Sequence, residues 1–128
     1  MSTRCSTRFG YGDNTIAIVY RHCDGYPECH GRYLQDLFVR LRDAPFDGRL
    51  DDPSYLAAKL VVDMSRGFGY DPDEPLDFLG VGIMLDEQGD EDYIYHVDTE
   101  THIDGIPTIT VECGDRRLPL NDMLPQEE

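Results

Sequence analysis

The spacing of apolar residues changes twice along this chain, from the period of a strand to that of a helix and back. Arg4 to Phe9 forms a short strand segment. Gly10-Tyr11-Gly12-Asp13 carries turn chemistry, because two glycines supply the positive φ angles of a hairpin. Ile16-Ala17-Ile18-Val19-Tyr20 is β-branched and aromatic, as in a strand covered on both faces. The stretch from His22 to Gly31 contains Asp24-Gly25 and Pro27 and reads as a loop. From Arg32 the period becomes helical: Tyr33, Leu34, Leu37, Phe38 and Leu41 make one stripe, opposite Arg32, Gln35, Asp36 and Arg40, and Pro45 ends it. Asp52-Pro53 opens a second helix, with Asp52 as N-cap and Pro53 at the first helical position. Leu56, Leu60, Val61 and Met64 form its stripe, and Gly67 closes it.

Residues 68–77 are a connection rich in proline and acid. Three further strands follow: Gly80 to Leu85, Tyr93 to Val97, and Thr108 to Cys113, the last alternating Ile109, Val111 and Cys113 with polar neighbours. Asp86 to Asp92 reads as an exposed hairpin loop between the first two, and Thr99 to Gly105 as the turn before the third. The order ββααβββ predicts one α+β domain over residues 1–128. It would hold a single antiparallel sheet of about five strands with two helices on one face. Residues 125–128 are expected to fray.

Size and composition agree with such a domain. A chain of 128 residues buries about two-thirds of the surface its unfolded form exposes, and needs neither metal nor disulfide to fold. The N-terminus lacks the apolar core of a signal peptide, and no stretch approaches the ~20 apolar residues of a membrane span. The expectation is a soluble cytoplasmic protein in which Cys5, Cys23, Cys29 and Cys113 stay as free thiols.

Charge adds what the apolar pattern does not show. Residues 1–66 carry nine acids and nine bases, whereas Arg66 to Arg116 encloses fourteen carboxylates and no lysine or arginine. Almost all of the net −15 therefore sits in one segment. Such a field attracts basic partners and repels nucleic acid and anionic membranes. Asp86, Glu87, Asp90, Glu91, Asp92, Asp98 and Glu100 are the candidate contacts, since alternate strand side chains stand about 6.6 Å apart on one face and form a sparse imitation of a phosphate row. The plain alternative is a solvated acidic face that keeps the protein soluble.

The densest reactive cluster is His22-Cys23-Asp24-Gly25-Tyr26-Pro27-Glu28-Cys29-His30. Two His-Cys pairs are donors that zinc accepts, but adjacent ligands in a Cys-x5-Cys spacing do not readily turn to one ion, so no metal or cofactor is expected. The signatures of phosphate loops, serine hydrolases and zinc peptidases are absent from the sequence. Arg21 and Arg32 flank the loop and are the candidate anion contacts if it forms a pocket for a small molecule or nucleotide.

The run from Ile16 to Gly31, with Tyr20-Arg21-His22-Cys23-Asp24-Gly25-Tyr26-Pro27 at its centre, resembles a motif of small phage and prophage proteins. In them a strand ends in Tyr-x-His-x-Asp-Gly-Tyr-Pro before a glycine-bearing loop and a helix. The opening Thr3-Arg4-Cys5-Ser6 and the late Asp92-Tyr93-Ile94-Tyr95-His96 are also similar. Cys23 stands where those proteins usually carry tryptophan. The resemblance implies a small α+β protein of mobile-element origin and no particular activity.

Together these readings predict a non-enzymatic phage-type protein that inhibits a host defence complex, such as a CRISPR surveillance complex, by occupying its nucleic-acid groove as a DNA mimic. The second expectation is a small-molecule-sequestering protein or hydrolase built on the His22–His30 loop. Exposed edge strands would also permit self-association.

Overall fold

The computed structural model describes residues 3–67, 80–87 and 89–124. The expected 68–77 connection and the 125–128 tail lie outside them. The elements are β1 (Cys5–Tyr11), β2 (Asn14–Arg21), a π-helical turn (Pro27–Gly31), α1 (Arg32–Arg42), α2 (Pro53–Gly67), β3 (Val81–Met84), β4 (Tyr93–Ile103), β5 (Ile106–Cys113), β6 (Arg116–Pro119) and α3 (Leu120–Met123).

The α+β class and the single sheet agree with the apolar pattern; the sheet's strand number and direction do not. Six strands lie in the order β3-β2-β1-β4-β5-β6. The β1–β4 pair is parallel, with Cys5 opposite Tyr93 and Phe9 opposite Val97, so the sheet is mixed. The expected hairpin between β3 and β4 is absent, because β2 and β1 stand between them. Residues 85–87 and 89–92 instead belong to a strap that crosses the sheet from one strand to the other. Three short elements were not expected: the π-helical turn Pro27–Gly31, in the stretch read as a loop, and β6 and α3. β6 has only four residues and half of them are arginine, and α3 is a single turn.

The helices form in the places their stripes predict. Asp52 Oδ1 accepts the backbone N–H of Tyr55 at 3.2 Å, so it caps α2. Leu34, Leu37 and Phe38 of α1 and Leu56, Ala57, Leu60 and Met64 of α2 enter one core with Cys5, Phe9, Val19, Tyr95, Val97, Ile109 and Val111 of the sheet. Each fully buried aliphatic or aromatic side chain contributes about 1.5–3 kcal/mol. The sheet thus has an inner face under the helices. Its outer face carries Ser6 and Arg8 of β1, Ile18 and Tyr20 of β2, Ile94 and His96 of β4, and Thr110 and Glu112 of β5. The strap lies on that outer face.

Candidate functional site

Two arginines of the first strand region hold the strap. Arg4 donates through Nη2 to the Asp90 carbonyl at 3.0 Å, and its backbone N–H donates to Asp92 Oδ2 at 2.8 Å. Arg8 rises from the middle of β1 and is only 9 % exposed. It meets Glu87 at 3.4 Å and Glu91 at 3.9 Å. Glu91 also accepts the Ser6 hydroxyl at 2.8 Å, and its carboxylate is 1 % exposed. Ordinary burial would strongly disfavour that charge, and the guanidinium and hydroxyl compensate it.

The seven acids proposed from sequence therefore separate into two groups. Glu91 is buried, Asp92 is tied to Arg4, and Glu87 is paired with Arg8 while staying 54 % exposed. Asp98 accepts the N–H groups of Gly12 at 2.9 Å and Glu100 at 3.0 Å. Partial burial works against its charge, yet those N–H groups hold its carboxyl below the usual carboxylate range. Asp86, Asp90 and Glu100 point outward and are exposed. The first group builds the surface, and the second is free to meet a partner.

Beside the strap, the outer face sinks into a cleft of about 400 Å³, lined among others by Arg8, Asp13, Glu87, His96, Glu112 and Arg117. His96 Nε2 lies 3.0 Å from Glu112 Oε1. Burial lowers the His96 pKa more than the Glu112 bond raises it, and Arg117 and Arg8 add to the depression. An ionised carboxylate only accepts, so Nε2 carries a proton and donates it to Glu112. Sequence reasoning missed this cleft. Arg8 within an otherwise uncharged strand was its only local signal, and His96 and Glu112 meet only through the register of β4 on β5.

The His22–His30 segment is not one open site. His22 and Cys23 are exposed, Cys29 is half-buried and His30 is buried. Arg21 turns into the protein and Arg32 out of it, so the two do not flank a common pocket. His30 Nδ1 lies 3.2 Å from Arg21 Nη1, and Nε2 lies 2.7 Å from Thr7 Oγ1. A guanidinium only donates, so Nδ1 accepts and Nε2–H donates to Thr7. Burial, reinforced by Arg21, pushes the His30 pKa down to about 3. The ring packs on Tyr95 at 4.8 Å, and the Tyr95 hydroxyl donates to the Gly25 carbonyl at 2.6 Å. Gly25 lies so close to β1 that a Cβ there would come within 2.7 Å of Cys5 Cβ.

These bonds anchor the motif as an internal staple of loop to sheet. Burial pushes the Cys5 thiol up, away from thiolate reactivity. Among the described residues, no group of three or more His, Cys, Asp or Glu is placed to hold a metal ion. No helix among them is long and apolar enough to cross a membrane.

Comparison with protein-family models, with curated proteins and with solved structures finds no match for this chain.

Proposed function

We propose that this protein is a non-enzymatic binding protein whose outer sheet face docks on a basic, nucleic-acid-binding surface of a partner and competes there with nucleic acid. The observation that carries this reading is where the charge lies in the fold. The helix layer, residues 32–67, holds six acids and six bases and is neutral. Residues 80–124, which supply the strap, β4 and β5, hold eleven acids against two arginines. Arg4 bonds Asp90 and Asp92, and the buried Glu91 side chain is held by Ser6 and Arg8, so the strap's outward acids are held in place and little ordering remains to be lost on binding. A CRISPR-type surveillance complex is one partner with the required chemistry.

The test is binding to such a complex at several salt concentrations, with a triple variant Asp86→Asn, Asp90→Asn, Glu100→Gln beside the intact protein. None of the three side chains supports the strap. The intact protein is expected to displace nucleic acid from the complex and to lose affinity steeply as salt rises. The triple variant is expected to bind about tenfold more weakly, or about 1.4 kcal/mol. Binding that ignores both salt and the three substitutions would overturn the reading.

A further inference from the structure

We infer that the cleft beside the strap is a socket for a guanidinium, an arginine side chain of the docked partner, held between Glu87 and Glu112. This rests on the docking of a basic partner to the outer face. The cleft contains three carboxylates, Asp13, Glu87 and Glu112, and two arginines. Each arginine already has at least one contact with an oxygen. Arg117 Nε donates to Thr110 Oγ1 at 3.1 Å, and Arg8 is shared by Glu87 and Glu91. The carboxylates have capacity to spare, since an ionised carboxylate accepts about four hydrogen bonds. Glu112 uses Oε1 on His96 and is 36 % exposed, and Asp13 lies open at the rim. Within a molecule of net charge −15, the long-range field also brings cations to this face.

A second, independent observation concerns Arg8, which lines the cleft, and its neighbour Glu91, which does not. Arg8 Nε and Glu91 Oε1 are both buried, and neither has a hydrogen-bond partner among the described residues. The Arg8 contacts at 3.4 and 3.9 Å are longer than the ~2.7–2.9 Å of a charge-assisted hydrogen bond. Arg8 therefore hangs between two carboxylates and fully engages neither. A guanidinium arriving at Glu87 takes over that carboxylate and releases Arg8 to close on Glu91 as a two-bond pair. That movement gives the two buried atoms the partners they lack, so the cation's arrival satisfies groups it never touches.

The experiment is an NMR titration of the full chain with arginine amide, and separately with inorganic phosphate. Saturating shifts at the amides of Gly10, His96 and Glu112 are expected with arginine amide. Glu87→Gln and Glu112→Gln should each weaken them about fivefold, with unchanged shifts in α1 and α2 showing that each variant folds. The triple variant Asp86→Asn, Asp90→Asn, Glu100→Gln should keep the socket intact. Shifts from phosphate but not arginine amide would make this an anion site and overturn the inference. So would non-saturating shifts spread along the strap. Either result would leave the docking reading to stand or fall on its own salt and displacement data.

Discussion

His30 has both ring nitrogens committed, Nε2–H to Thr7 and Nδ1 to the Arg21 guanidinium, inside the sheet–helix core. A proton on Nδ1 would have to displace a bonded cation, which is why burial and Arg21 together push the pKa down to about 3. An unfolded histidine titrates near 6.5. Between those values the unfolded chain takes up a proton that the folded chain refuses. The stability is thus fully present above pH ~6.5 and declines as pH falls toward ~3. Urea denaturation at pH 7.5 and 5.5 is expected to show a loss of at least about 1 kcal/mol at the lower pH. His30→Gln should flatten that dependence even if it lowers stability at both values. A slope unchanged in the variant would remove His30 from the account. The sequence marked this histidine as a reactive group, because a one-dimensional cluster of His and Cys looks the same whether its side chains converge outward or are buried apart.

Elements were legible wherever a local period sufficed. The α1 and α2 stripes, the Asp52 cap and most strand segments follow from side-chain spacing, because helix and strand periodicity is set within a few residues. β4 is the exception, running past Val97 to Ile103 through residues expected to turn, because pairing with β5 resumes beyond an irregularity at Asp98–His102. The segment between β3 and β4 was not legible in this way. Seven residues rich in Asp, Glu and Gly suit a hairpin loop as well as a crossover, and what decides between them is Arg8, nearly eighty residues earlier. The strap stays on the sheet through the Arg4 bonds to Asp90 and Asp92, the Ser6 bond to Glu91 and the Arg8 guanidinium shared by Glu87 and Glu91. Glu91→Ala is expected to cost about 3 kcal/mol in denaturant unfolding, since it strips a buried guanidinium of its buried partner. Glu87→Ala, at a 54 % exposed position, should cost less than about 1 kcal/mol. Equal losses in the two variants would mean that the strap is not held through Arg8.

Among the described residues, a neutral helix layer backs a sheet and strap that carry the acidic excess. Self-repulsion across that face opposes folding, and salt screens it. The melting temperature of the free protein is expected to rise by several degrees between about 20 and 200 mM NaCl, the opposite trend to partner affinity. A melting temperature that falls over this range would show that ion pairs such as Arg8–Glu91 outweigh the repulsion. What the sequence determined by itself is whatever neighbouring residues dictate to one another: the α+β class, the helix faces, the Asp52 cap, the location of most strands and the concentration of charge. The tertiary structure alone decided that β1 and β4 run parallel, that Glu91 is buried while Asp86 is not, and that His96 meets Glu112 beside Arg8. Those pairings join residues far apart in the chain. They are chosen by the summed packing of the core against the cost of burying charge, which no local pattern contains.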